Sequence, residues 1–466
     1  MNYYLAVDIG ASSGRHILGY IEDGKMVLEE IHRFPNGMMN KDGRLVWNSQ
    51  TLFEEIKTGM KKCTDLGKLP TSMGIDTWAV DFALLDEKDA LIGDIVGYRD
   101  SRTRGMDQLV YQVLPETELY MRTGIQKQMF NTIYQLMAVK SKQPEQLEKA
   151  QTMLLLPDYF HFLLTGKKIT EYTNASTTQL VNPETKDWDW ELIHSLGYPE
   201  HIFTQIMLPG SEVGELTKTI QEEVGFQCKV VLPATHDTGS AVVAIPTQSD
   251  DSLYISSGTW SLMGTELKKA ECSLQSMQRN LTNEGGYDYH FRYLKNIMGL
   301  WMINSAKKEL APDMSYDDLC EGASKEKISS IIPANDSRFL APESMSEEVK
   351  KACEETNQEI PETATEVAAV IYNSLAKCYA DTLLEIEGMT GKTYDRISII
   401  GGGAKASYLN QLTANACKRP VCAGPVEATA IGNLAVQMIA GNELKNLKDA
   451  RDCIYESFEV KEYIPM

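Results

Sequence analysis

V-D-I-G-A-S-S-G-R, Val7 to Arg15, is the stretch on which the fold turns. It follows the apolar run Tyr4 to Val7 and precedes Ile17 to Gly19, the pattern of a strand, a tight polar turn and a second strand. Small residues let a backbone approach an anion closely, and hydroxyls beside free N–H groups bind phosphate oxygens. In the other half of the chain S-S-G-T-W-S, Ser256 to Ser261, sits in the same way between Leu253 to Ile255 and Leu262 to Gly264. Two such hairpins predict two lobes gripping one polyphosphate.

A chain of 466 residues exceeds one core and favours two or three domains. Hydrophobic content of 43% with 24% charged residues places it among ordinary globular proteins. A formal net charge of −20 argues against nucleic acid or an anionic membrane as partner, either of which would need a basic footprint. The opening M-N-Y-Y-L-A-V-D has no basic leader and Asp8 interrupts its apolar run, so neither a signal peptide nor an anchor is expected. The nine cysteines are odd in number and scattered, which fits a reduced cytoplasm better than a disulfide framework. Cys417 and Cys422 lie close together without a neighbouring histidine, so no structural zinc is expected.

Along the chain, an N-terminal meander (Tyr3 to Val7, His16 to Ile21, Met26 to Phe34) leads to a helix near Gln50 to Cys63, then to strands at S-M-G-I-D-T and Trp78 to Leu85. The middle, about 115 to 230, reads as helical. K-V-V-L-P-A then gives way to T-H-D-T-G-S and a helix start, and the second hairpin is expected over 251 to 264. Ser315 to Glu359 reads as charged and irregular. A long helix is predicted from Ala364 to Glu387, opened by a Thr363/Glu366 capping box and closed at Gly388. A strand from Arg396 to Ile400, Gly401-Gly402-Gly403, a helix, a strand near Val421 and a helix from Glu427 to Ala440 follow. Both halves therefore read hairpin first and alternating strands and helices afterwards, a duplicated α/β architecture with a cleft.

G-x-x-x-x-G-K-[ST], G-x-G-x-x-G and H-E-x-x-H are all absent from the sequence. Asp8 ends a strand facing the first turn, where a carboxylate repels phosphate unless a divalent cation intervenes, so a metal role suits it. A plain hairpin whose Asp accepts backbone N–H groups reads equally well. Gly10 and Gly14 are expected to permit the turn, with Ser12, Ser13 and Arg15 as donors. In A-T-H-D-T-G-S, Asp237 stands at a strand end where ligands gather and suits the acceptance of a hydroxyl proton. The plainer reading makes Asp237 a helix N-cap and His236 a packing residue. The triple glycine removes side chains from one face, so a ring or phosphate can lie against the backbone. Trp78, Asp81, Arg99 and Asp100 suit a polyol or, equally, a salt bridge near a strand end, while Asn283, Asn296 and Trp301 read as polyol contacts or as turn and core residues.

V-D-I-G-A-S-S-G-R, G-I-D-T-W-A-V-D-F, E-Y-T-N-A-S-T-T-Q-L, S-S-G-T-W-S-L-M-G, T-N-E-G-G and K-N-I-M-G-L-W run in an order that resembles the FGGY carbohydrate kinases, of the actin-like ATPase fold. The resemblance implies two actin-like (ribonuclease H-like) ATPase domains, divided at 1–245 and 246–466. Its narrower motifs imply ATP-dependent phosphorylation of the 1-hydroxyl of L-rhamnulose, in L-rhamnose catabolism, with Mg²⁺ accompanying ATP and with a monomer or small homo-oligomer acting in the cytoplasm. By position it makes Asp237 the proton acceptor and Asp8 the metal-associated acid. It assigns Ala11, Ser12, Ser13, Gly14, Arg15, Thr259, Asn304 and Gly402 to ATP, and Ala79, His236, Asp237, Thr238 and Asn296 to the sugar. Ala79 stands where the family commonly has glycine, and Asn304 where relatives often have glutamine. Val370 and Thr413 stand where some relatives have cysteine partners, so no disulfide is expected. A kinase for L-fuculose or L-ribulose and, farther off, an actin-like ATP clamp for a protein partner are the alternatives.

Overall fold

The structure is a computed structural model describing residues 1–247, 249 and 252–466. It divides into two compact units, each a mixed α/β body. The first comprises Met1–Ala244, Glu266–Tyr293 and Thr429–Ser457, and the second Ile245–Thr265, Leu294–Ala428 and Phe458–Met466. The first unit thus takes in two segments that a contiguous division after residue 245 gives to the other domain.

The first unit is built on a six-stranded sheet in the order Glu212–Glu215, Lys229–Val231, Pro70–Thr77, Tyr3–Ile9, Ser13–Glu22 and Lys25–Pro35. The last three strands form the expected antiparallel meander, and Tyr3–Ile9 pairs in parallel with Pro70–Thr77. Strand alternation sends successive side chains to opposite faces. Leu5, Val7, Ile9, Met73 and Ile75 join a core with Leu52, Ile56 and Met60 of helix Ser49–Leu66 and Phe160 and Leu164 of helix Leu156–Thr165. The opposite face, carrying Ser72, Gly74 and Asp76, meets helix Ala428–Ala440, where Gln437 accepts from Ser72 Oγ at 2.7 Å and Asn433 Nδ2 donates to Asp76 Oδ2 at 2.6 Å. Gly74 is there because a Cβ would lie 2.7 Å from the Val231 carbonyl. A second cluster packs the antiparallel pair of Phe82–Leu85 and Thr152–Leu155 against helix Thr132–Lys142.

The second unit repeats the plan. Strand Ser252–Ser257 forms a hairpin with Trp260–Leu267 and pairs in parallel with Arg396–Ile400, beyond which lie Val421–Ala423 and Lys461–Tyr463. Residue 251, the expected start of this hairpin, lies outside the described residues. Helix Ala364–Thr390 has the predicted capping box and buries Val367, Ile371, Leu375, Tyr379, Leu383 and Ile386. Its cap lies three residues beyond the expected one. Gly391, at φ +66, makes the left-handed closure, and Gly388 is an ordinary helical residue. The segment Ser315 to Glu359 is more ordered than its composition implies. Ser315 and Ser344 cap helices Tyr316–Lys325 and Met345–Glu355 through their side chains.

The buried core carries a pH dependence. His161 is fully buried, and its Nε2 accepts from the Ile75 amide at 3.1 Å. Burial pushes its imidazole from 6.5 down to about 3. The unfolded chain binds this proton and the folded chain does not, so His161's share of stability is complete above pH ~6.5 and is lost as pH falls towards about 3. A single such group gives a slope of about 1.4 kcal/mol per pH unit. Urea unfolding at pH 7 and pH 5 is expected to show a smaller acid loss in His161→Gln than in the native protein. Equal losses would contradict this.

Candidate functional site

In the first unit, strands place the acidic groups side by side. The parallel register sets Asp8 opposite Asp76, and Thr77 continues the pairing through a bridge to His236. Asp237 opens helix Asp237–Val243, so it is the first helical residue, with His236 in the cap position. Its Oδ1 accepts from the Thr238 amide at 2.6 Å, and its side chain keeps 29% exposure. Burial, and after it the negative charge of Asp8, pushes Asp237 up to about 7. Asp76 is raised well above the usual carboxylate range, also by burial first and Asp8 second. Its Oδ1 is buried without a hydrogen-bond partner. The helix bearing Asp237 approaches helix Ala428–Ala440 at Gly432, where a Cβ would fall 1.7 Å from the Ser240 carbonyl oxygen. Glycine is required there for packing.

The first hairpin turn closes with Gly10 N donating to Ser13 O at 2.9 Å. Asn36 fastens it from outside, its amide donating to Ser12 O at 3.0 Å and its Nδ2 to Gly10 O at 2.8 Å. Ala11 and Ser12 occupy the bend, and Ser13 begins the second strand. Gly14 serves another purpose than the one expected. Neither Gly10 nor Gly14 has a left-handed backbone, and a Cβ on Gly14 would collide with the Phe34 ring. Arg15 faces Asp8, its Nε and Nη2 donating to Asp8 Oδ2 at 3.0 and 2.9 Å.

The loop leading to His236 is held by a buried carboxylate that sequence reasoning passed over. Glu171 accepts from the amides of Thr173, Asn174 and Thr235 and from the Thr235 hydroxyl. Arg292, among the largest fully buried side chains of the described residues, reaches His236 and Thr238. A signal was available for Arg292, the lone formal charge of H-F-R-Y-L, whereas Glu171 follows two lysines in K-K-I-T-E-Y and carries no such mark.

The expected polyol wall divides. Asp81 is committed to the protein, accepting from Trp47 Nε1 at 2.7 Å, Trp78 Nε1 at 2.9 Å, the Tyr98 amide at 3.1 Å and Gln135 Nε2 at 3.1 Å. Burial raises Asp81 to about 6, against these bonds. Asp100 likewise accepts from Arg44 and from the amides of Leu45 and Arg102. Asn283 binds backbone at Gly124 and Glu271. These three are structural. Trp78 to Asp81 do not continue as a strand either, because Val80 stands at φ +70, which is rare for a β-branched residue and marks a strained turn. Ala79, half-buried, sits within that turn, and the Val80 carbonyl is held by Thr132 and Gln135.

In the second unit the residues assigned to ATP gather at one strand end. Thr259 is exposed at the hairpin turn, whose Gly258 and Thr259 carbonyls accept from the Leu300 and Trp301 amides at 3.0 and 3.1 Å. Those amides begin helix Trp301–Leu310, which carries Asn304 one turn further on. The glycine loop meets the same strand. A Cβ on Gly403 would lie 2.0 Å from Ser257 Oγ, and Gly401 needs its φ of +83. Only Gly402 of the three is exposed. Asn296 is half-buried on strand Phe291–Met298, where its carbonyl accepts from Asn335 Nδ2.

Comparison with known proteins decides what this arrangement belongs to. The model of the FGGY family of carbohydrate kinases, N-terminal domain, matches residues 3–244, and that of the C-terminal domain matches residues 253–441. The chain belongs to the FGGY carbohydrate kinases. It is an enzyme of the kind that transfers a phosphoryl group to a sugar hydroxyl. Rhamnulokinase of Halalkalibacterium halodurans is 51% identical over 464 residues, covering 100% of this chain and 99% of the relative. Rhamnulokinase of Bacillus subtilis is 44% identical over 99% of this chain and 95% of its own. Among solved FGGY-type structures, the ligand-bound xylulose kinase from Lactobacillus acidophilus superposes with a TM-score of 0.84 at 18% identity, covering 100% of this chain and 94% of that one. Plasmodium falciparum glycerol kinase with ADP gives 0.78 at 14% identity, over 99% and 94%. The two-domain α/β fold expected from the hairpins is the fold of this family. Among the described residues, no helix is long and apolar enough to cross a membrane.

Proposed function

We propose that this kinase transfers the γ-phosphoryl group of ATP to the 1-hydroxyl of L-rhamnulose in the cytoplasm, as a step of L-rhamnose breakdown. The observation that carries the reading is full-length identity of 41–51% to proteins named rhamnulokinase, together with a half-buried Asp237 at a helix start beside Asp8.

Mg²⁺ is the cation proposed to accompany ATP. Asp8 crowds both Asp76 and Asp237 with negative charge, and one buried Asp76 oxygen has no partner, so the residues fit a nearby cation. Among the described residues no three-ligand cage exists. A hydrated Mg²⁺ held mainly by phosphates needs only one or two carboxylates. When bound it offsets phosphate charge and polarises the transferred group.

The chain's own residues do the rest. Asp237 orients the sugar hydroxyl and accepts its proton late, as the bond to phosphorus forms. The N–H groups and hydroxyls of Ala11 to Arg15 and of Thr259 hold phosphate oxygens, while Gly402 and Asn304 face the nucleoside. His236, Thr238, Ala79 and Asn296 bind the sugar. A loose transition state asks mainly for positioning and charge stabilisation, which these groups supply.

Coupled ADP release with L-rhamnulose, L-fuculose, L-ribulose and glycerol tests the assignment. The highest kcat/KM is expected with L-rhamnulose. A preference of tenfold or more for another ketose, about 1.4 kcal/mol, would move the enzyme to that substrate. ATP hydrolysis indifferent to every sugar would contradict kinase action altogether.

A further inference from the structure

Arg292 meets His236 and Thr238 with a geometry that leaves little freedom. Its Nε donates to the Gly285 carbonyl at 2.9 Å, its Nη1 to Thr238 Oγ1 at 2.8 Å, and its Nη2 to His236 Nδ1 at 3.0 Å. The side chain is fully buried, and Glu284 Oε2 lies 3.0 Å from Nη2 as a counter-charge, without the alignment of a hydrogen bond. A guanidinium only donates. His236 Nδ1 must therefore present its lone pair, which places the imidazole hydrogen on Nε2. That nitrogen is 3.1 Å from Thr238 Oγ1 and 3.6 Å from Asp237 Oδ1.

The competing state is an imidazolium paired with Glu284, whose Oε2 stands 3.4 Å from Nδ1. A second buried positive charge beside Arg292 works against it. Burial, followed by the Arg292 charge, holds the His236 imidazole well below its ordinary range.

Thr238 Oγ1 then accepts twice, from Arg292 and from His236 Nε2. Both of its lone pairs are taken, so any further partner must be an acceptor. We propose that Arg292 is a positioning residue that sets the polarity of the sugar-binding wall. It holds His236 as the neutral Nε2–H tautomer and makes the Thr238 hydroxyl an obligate donor, so the ligand group meeting Thr238 is an oxygen acceptor such as a ketose carbonyl. This rests on the proposed reading that His236 and Thr238 face the sugar. The tautomer itself is read on the resting protein and stands or falls independently of the sugar.

Long-range ¹H–¹⁵N correlation on histidine-labelled protein, with His236→Gln assigning the signal among the 7 histidines, tests the tautomer. Nδ1 is expected to be the unprotonated nitrogen and Nε2 the protonated one from pH 6 to pH 8. A protonated Nδ1 would overturn the proposal. In Arg292→Lys, which keeps charge but cannot make both bonds, KM for the ketose is expected to rise roughly tenfold or more, with KM for ATP unchanged. Arg292→Gln should do the same. A ketose KM unchanged in either folded variant would refute the positioning role, and the resting-state spectrum decides the tautomer even if both variants fail to fold.

Discussion

Asp237→Asn is expected to lower kcat by about 10²-fold or more while sugar binding is largely retained. The substitution keeps the side chain's volume and an oxygen to accept the Thr238 amide, a bond of 2.6 Å in the native structure. It removes the only part of the residue that chemistry needs, a basic oxygen able to take a proton as the sugar oxygen reaches phosphorus. Turnover from ADP release, set beside calorimetric sugar binding, separates the two effects. Near-normal turnover would take Asp237 out of the mechanism. A loss confined to sugar affinity would make it a binding group instead.

The largest stability effect is expected at Asp81. Asp81→Ala leaves Trp47, Trp78, the Tyr98 amide and Gln135 without their shared acceptor inside the protein. Buried donors stranded beside a lost charge cost about 3–5 kcal/mol. The two indole rings stand 4.0 Å apart between centroids, so they should loosen together and release the turn that carries Ala79. Trp47→Phe, which removes one donor and keeps the acceptor, should cost only about 1–2 kcal/mol. Urea denaturation of both variants checks the ordering. An Asp81→Ala protein as stable as the native one would show that the carboxylate is dispensable to the fold.

The duplicated hairpins were legible because strand, polar turn and strand form a local pattern. The same holds for the Thr363/Glu366 capping box, since every partner lies within one helical turn. What the sequence hid is long-range. Gly14 reads as a turn glycine until the Phe34 ring is seen beside it, and Gly432 carries no local signal for the helix it admits. Segments Glu266–Tyr293 and Thr429–Ser457 return to the first unit through contacts distant in the chain. Asp81 reads as a ligand-facing carboxylate because three of its four donors, Trp47, the Tyr98 amide and Gln135, come from other segments of the chain. Arg292 is the instructive case. A solitary charge inside an apolar run must have a buried partner, and here those partners are His236 and Thr238.

The proton-coupled phosphorus spectrum of the product made from L-rhamnulose and Mg-ATP tests the central claim most directly. A phosphate on the 1-hydroxyl is bonded to a methylene carbon and should appear as a triplet, in a reaction that Asp237→Asn nearly abolishes. A doublet, from transfer to a secondary hydroxyl, or ATP consumed with no sugar phosphate formed, would contradict it.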